Sequence, residues 1–139
     1  MLKTCAIIFG LALLVIGILG FVPQISPNNL LFGIFQVNFE HNLIHIAAGI
    51  ASLLCGIVSG HVSRVFFQIF GIIYGLVTLP GFYYGERPIF GMVVNHIPDA
   101  ALHLTVALIA LYLGFGHPSS DITTNGSDKN SKGSKPMKR

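Results

Sequence analysis

The feature that most constrains this sequence is a long stretch that is almost free of charge. Over the whole chain only 9% of the residues are charged and 53% are hydrophobic, whereas about 25% are charged in an ordinary soluble domain. Between Thr4 and Gly116 the formally charged residues are Glu40, Arg64, Glu86, Arg87 and Asp99. So few charges cannot cover a surface that faces water, and we therefore expect this stretch to lie in a lipid bilayer.

Four segments of this stretch are long and apolar enough to cross the hydrocarbon core, which takes about 20 residues of helix. They lie at about 4–21, 39–60, 65–84 and 99–115. Because lipid offers the backbone no hydrogen-bond partners, each span should be a helix, and residues 61–64 should form a tight turn between the second and third. The sequence therefore predicts an all-α, four-helix transmembrane bundle over residues 1–116, in a multi-pass protein of the bacterial inner membrane.

Residues 117–139 differ in composition, because they are rich in Ser, Gly, Asn and Lys and show no apolar period. Such a segment cannot bury enough surface to fold, so we expect a disordered, basic, cytoplasmic tail. Five of the eight Lys and Arg residues lie in this tail, so the positive charge does not mark a nucleic-acid-binding face. The partner that the sequence predicts is the lipid bilayer, and no nucleic acid is expected.

The two halves of the chain resemble each other. Ile-Phe-Gly ends at Gly10 and again at Gly71, and Gly-Phe begins ten residues later in both halves. Phe-Gly then precedes His45 and His103 by the same interval. Each half would be a helix, a loop with a short apolar segment and a second helix. We therefore expect two tandem helical hairpins related by a pseudo-two-fold axis along the membrane normal, which would bring equivalent faces of the second and fourth helices together.

Four polar side chains lie on these two faces. Residues three, four or seven positions apart share one face of a helix. His41 and His45 therefore lie together on the second helix, and Asp99 and His103 lie together on the fourth. The same stripes carry small residues typical of closely packed membrane helices, namely Ala48, Ser52, Gly56, Ala107, Ala110 and Gly114. We expect His45 and His103 to approach each other, with His41 and Asp99 one turn nearer the outer surface.

Two kinds of function fit this cluster. The simpler is a structural or partner-binding module in which Asp99 caps the fourth helix, the histidines form hydrogen bonds and no cofactor is bound. Alternatively, the cluster binds a metal ion, because imidazole and carboxylate groups at this spacing point at one ion. The ligands of such a zinc, copper or iron site would be His41, His45, Asp99 and His103, with Glu40 and His96 as accessory candidates.

A variant of the second interpretation has His45 and His103 as the axial ligands of a haem. The sequence does not predict an enzyme, because no nucleophile with an adjacent base and no glycine-rich phosphate loop is recognisable. The glycine-rich faces around Gly56 and Gly71 would suit a homo-oligomer or another membrane protein as partner.

Two short motifs carry a resemblance to a known family. The first is LFGIFQVN at residues 31–38 with the histidines that follow it, and the second contains Asn95, Asp99 and His103. With these motifs the sequence resembles a bacterial family of four-span membrane proteins of unknown function, over about residues 2–116. The resemblance implies a fold and a location but no reaction. The sequence departs from the family pattern at Ala100-Ala101, where a more polar or aromatic pair is expected.

The orientation of the bundle follows from the distribution of Lys and Arg. With four spans both termini lie on one side, and that side then holds seven of the eight cations, including Lys3 and Arg64. Because positively charged segments stay in the cytoplasm, we expect both termini there and the His/Asp cluster at the outer side.

In a variant with Cys5 and Cys55 replaced by Ser, a cysteine at position 64 should be protected from a membrane-impermeant maleimide in intact cells. Gln24→Cys should be labelled, and the reverse result would invert the topology.

Overall fold

The computed structural model of the protein describes residues 1–84 and 97–116. It contains four long helices, which are α1 (Leu2–Leu19), α2 (Phe39–Val58), α3 (Gly60–Tyr84) and α4 (Ile97–Phe115). All four are long and apolar enough to cross a membrane, with a mean hydropathy between 1.6 and 2.5 over their most apolar windows. The predicted all-α class and the four spans are therefore confirmed. The predicted tail at 117–139, His96 and the second apolar loop segment lie outside the described residues.

The helices pack as two helical hairpins, α1 against α2 and α3 against α4. The two hairpins use equivalent contacts. A Cβ added to Gly10 would lie 2.8 Å from the side chain of Leu53, and one added to Gly71 would lie 2.9 Å from that of Leu111. Leu53 and Leu111 occupy equivalent positions, because they follow His45 and His103 by the same number of residues. Equivalent residues of the two halves thus make equivalent contacts between helices.

The small residues of the predicted stripes face the partner within each helical hairpin. Ser52 Oγ donates a 2.8 Å hydrogen bond to the carbonyl oxygen of Ala6 in α1. In the second hairpin Gln68 Nε2 of α3 donates a 3.0 Å bond to the carbonyl oxygen of Gly114 in α4. We expected these residues to hold α2 against α4. They instead hold each helix against its partner within the hairpin. Small side chains permit a close approach but do not determine which helix approaches.

The connection between α2 and α3 is shorter than predicted. Residues 61–64 belong to α3, and Ser59 alone separates the two helices. Ser59 Oγ accepts a 3.1 Å hydrogen bond from the backbone N–H of Val62, so it caps the start of α3. Ser63 Oγ donates to the carbonyl oxygens of Cys55 and Ser59 at 3.1 Å and 2.9 Å. The polar residues that indicated a turn are thus the first turn of a helix.

An aromatic core joins the two helical hairpins. Phe9 of α1 makes edge-to-face contacts with Phe67 and Phe70 of α3, with ring centroids 5.6 Å and 5.2 Å apart. Ala6 and Ala110 complete this core, and both are fully buried. The large apolar side chains that remain exposed, such as Ile8, suit a surface that faces lipid.

A short β-hairpin covers one end of the bundle. Strands β1 (Leu30–Leu31) and β2 (Phe35–Gln36) pair antiparallel. The turn between them contains two residues with positive φ, Phe32 at 54° and Gly33 at 73°. Leu31 and Val37 are each only 3% exposed, so the β-hairpin lies against the helices. We call this end of the molecule the hairpin end.

The packing within the helical hairpins predicts the effect of single methyl groups. Gly10→Ala and Gly71→Ala should each lower the free energy of unfolding by about 1–3 kcal/mol, because the new Cβ meets backbone as well as side-chain atoms. Gly60→Ala is the control, since nothing lies within 4 Å of its added Cβ. Thermal unfolding of the purified protein in detergent should show lower midpoints for the first two variants only. Equal midpoints for all three variants would contradict this account of the packing.

Candidate metal site

Three histidines converge at the hairpin end. His41 and His45 lie one turn apart on α2, and His103 lies on α4. One ring nitrogen from each can be chosen so that all three nitrogens lie within 4.8 Å of one another. The ring centroids of His45 and His103 are 6.0 Å apart, and that of His41 lies 4.6 Å and 5.3 Å from them. The predicted approach of His45 to His103 is confirmed, and it is made by the rings and not by a close contact of the two helices.

The start of α2 sets the position of its two histidines. Asn38 Oδ1 accepts a 2.9 Å hydrogen bond from the backbone N–H of His41, so Asn38 is the N-cap of the helix. His41 therefore lies in the first turn and His45 in the second. On the other side Gly17 of α1 leaves room for α2, because an added Cβ would lie 3.1 Å from the Cβ of His45. The helix cap and the glycine together bring both rings into the interior, where they are 4% and 6% exposed.

Tyr74 of α3 belongs to the same cluster, although our sequence analysis did not predict it. Its hydroxyl oxygen lies 3.1 Å from His45 Nε2. Its ring stacks on Phe70 at 4.5 Å and makes an edge contact with His103 at 5.0 Å. The signal that could have identified it is a phenol within an apolar span, because a buried hydroxyl in lipid needs a partner. Comparison of the two halves does not point to Tyr74, because the equivalent position in α1 is Leu13.

The second ring nitrogen of His45 has no hydrogen-bond partner among the residues that the structure describes. Nδ1 is buried, while Nε2 contacts the hydroxyl of Tyr74. When Nε2 donates its hydrogen to Tyr74, the lone pair lies on Nδ1. A buried acceptor without a donor costs about 1–3 kcal/mol. A metal ion at Nδ1 would remove that cost, because a metal-bound histidine commonly donates its other N–H to an oxygen nearby.

Asp99 lies beside the histidines but has a different contact. It is 1% exposed, and its Oδ2 accepts a 3.2 Å hydrogen bond from the backbone N–H of Gln36 in the β-hairpin. It lies in the first turn of α4, where a carboxylate suits the positive end of the helix dipole. Asp99 is not part of the group of three whose ligand atoms lie within 4.8 Å. Of the accessory candidates, Glu40 is exposed and His96 lies outside the described residues.

A cavity of about 70 Å³ adjoins all three histidines and Asp99. The other described residues on its walls are apolar. They come from α1, the β-hairpin, the residue after the β-hairpin and α4, and are Ile16, Leu31, Phe32, Phe35, Val37 and Leu102. The cavity has room for a metal ion with one or two small ligands, since a water molecule takes about 30 Å³. A haem would need a larger space than the described residues enclose here, because ligand pockets usually occupy roughly 300 Å³ or more.

Comparison with known proteins assigns the chain to a family. No curated protein and no solved structure matches it. A family model described as a domain of unknown function, DUF4383, matches residues 3–116, which include all four spans and all three histidines. This match confirms the resemblance seen in the two sequence motifs. The chain therefore belongs to the DUF4383 family of proteins of unknown function.

Proposed function

We propose that this protein binds one transition-metal ion at the hairpin end of its bundle, through His41, His45 and His103. The observation that carries this proposal is the convergence of three imidazole nitrogens within 4.8 Å in the interior of the protein. In a tetrahedral zinc site the metal–nitrogen distance is about 2.0–2.1 Å, so two ligand nitrogens lie roughly 3.4 Å apart. Small side-chain rotations would bring the three rings to that distance.

The ligand set indicates which metals suit the site. Three imidazoles favour zinc, copper, iron or nickel over magnesium and calcium, which prefer oxygen ligands. The hydroxyl of Tyr74 would act as an outer partner that orients the ring of His45. Such partners commonly change metal affinity by about 10- to 100-fold.

A structural polar network is the second candidate function. Its support is the pair of contacts that join separate elements, Gln36 to Asp99 and His45 to Tyr74. This interpretation explains why the β-hairpin and three helices meet at one point. It leaves Nδ1 of His45 buried without a partner in the described part of the chain, and we favour metal binding for that reason.

Metal content is the direct test. The protein, purified without an oligohistidine tag and dialysed against zinc, should retain close to one zinc ion per chain by elemental analysis. His45→Ala and His103→Ala should lose most of it, because two imidazoles from the cluster do not complete a site. His61→Ala is the matched control, since His61 is exposed on α3 and lies outside the cluster.

The same experiment separates the two candidate functions. A wild-type protein that binds no zinc, copper or iron, and whose stability still falls in His45→Ala, would leave the structural network as the function of the cluster. Equal metal loss in His61→Ala would show that the metal binds elsewhere.

The contact between Tyr74 and His45 makes a separate prediction. Tyr74→Phe should weaken zinc binding by about 10- to 100-fold and leave one ion per chain at saturation, because it removes the outer partner but no ligand. Competition with a chromophoric chelator measures the affinity. Tyr112→Phe is the control, because Tyr112 is 66% exposed on α4. An affinity equal to that of wild type in Tyr74→Phe would show that the hydroxyl does not orient the ligand.

A further inference from the structure

We infer that the metal ion held by the three histidines keeps one coordination position open to the adjoining cavity. The position binds a small exogenous anion of two or three heavy atoms. The inference rests on the proposed function, because it assigns a ligand to the same metal. It separates two classes of metal site, since a structural site is closed by four protein ligands and a reactive site keeps a position for an incoming ligand.

Apart from the three histidines and Asp99, the described walls of the cavity are apolar. All three histidines line it, so an ion at their point of convergence has one side towards the open space. The described residues on the other walls are aliphatic or aromatic, with Ile16 from α1, Leu31 and Phe35 from the β-hairpin, and Leu102 from α4. None of these side chains is a metal ligand. Among residues 1–84 and 97–116, the fourth position therefore faces space and not a protein donor.

Asp99 is the one carboxylate that the described residues contribute to the cavity wall. Its Oδ2 accepts a hydrogen bond from Gln36, and the residue does not belong to the group of convergent ligand atoms. It therefore acts as a charge beside the metal. A divalent ion with three neutral imidazoles and one nearby carboxylate leaves one net positive charge. In an interior that disfavours uncompensated charge, a single monoanion restores neutrality.

The size of the cavity limits the ligand. Its volume of about 70 Å³ is roughly half that of a cavity of about 150 Å³ that admits benzene. An ion such as azide or cyanide fits this space, and an aromatic ring with a substituent does not. Because the walls are apolar, the ligand must be held mainly by its bond to the metal.

The test uses the full-length protein in detergent, loaded with Co(II), whose visible spectrum reports the number and type of its ligands. The wild-type protein should bind one Co(II) per chain, and azide should change the spectrum saturably with one azide per Co(II). 2-Methylimidazole, which exceeds the cavity, should bind at least tenfold more weakly than azide. Phe35→Ala enlarges the cavity and should admit 2-methylimidazole, whereas Phe39→Ala, at an exposed residue outside the cavity wall, should not.

The outcomes distinguish this inference from the proposed function. If the protein binds neither Co(II) nor zinc, the proposed function fails and the inference fails with it. If Co(II) binds and azide leaves its spectrum unchanged, metal binding stands and the open position is refuted. If azide binds only in Asp99→Asn, then Asp99 is the fourth ligand and the site is closed. Equal binding of azide and 2-methylimidazole by the wild type refutes the size limit, and that comparison does not depend on any variant folding.

Discussion

A polar side chain inside a membrane domain must find its hydrogen-bond partner within the protein, because lipid supplies none. Several side chains of the described residues meet this constraint through a backbone carbonyl. Ser52 and Gln68 donate to carbonyl oxygens of the neighbouring helix, and Thr78 Oγ1 donates to Tyr74 in its own helix at 2.7 Å. The first two bonds also fix how each helical hairpin packs. Gln36 Oε1, Asn42 Oδ1 and His45 Nδ1 depart from this pattern, since they are buried without a hydrogen-bond partner among the described residues, and His45 is the one of the three that belongs to the histidine cluster. The unpartnered nitrogen of His45 is the reason why we propose a metal ion at the histidine cluster.

The duplicated architecture produces a site that is not symmetrical. Equivalent glycines and leucines pack the two helical hairpins alike, and His45 and His103 are themselves equivalent. The positions around them have diverged. His41 corresponds to Asp99, so the first half has an imidazole where the second has a carboxylate held by the β-hairpin. Tyr74 has a leucine as its counterpart. The pseudo-symmetry thus brings two histidines together, and the differences between the halves add the third histidine, the tyrosine hydroxyl and the nearby carboxylate.

Composition and spacing predicted the parts of this structure that depend on local properties. Four apolar runs predict four spans, and a separation of four residues predicts that His41 and His45 share a face. The choice of neighbouring helix depends on tertiary packing, which small residues permit without specifying. For that reason the prediction that the stripe of Ser52 and Gly56 faces α4 was wrong. Tyr74 could not be placed, because its role depends on a partner 29 positions away along the chain. The role of the β-hairpin as a cavity wall follows from its docking on the bundle, which no local pattern records.

The electrostatics at the hairpin end favour an anion together with a metal ion over a metal ion alone. Both α2 and α4 begin there, with His41 and Asp99 in their first turns. The positive ends of two helix dipoles therefore point towards the cavity, where they stabilise negative charge and oppose positive charge. A divalent ion at the proposed site would have to overcome that field through bonds to three imidazoles, and the carboxylate of Asp99 would offset only part of it. A monoanion on the open side of the ion would meet both helix ends as well as the metal. The same arrangement explains why the cluster lies at the helix termini. Halfway along the spans, an ion would have neither the helix ends to bind its anion nor a β-hairpin to close the cavity.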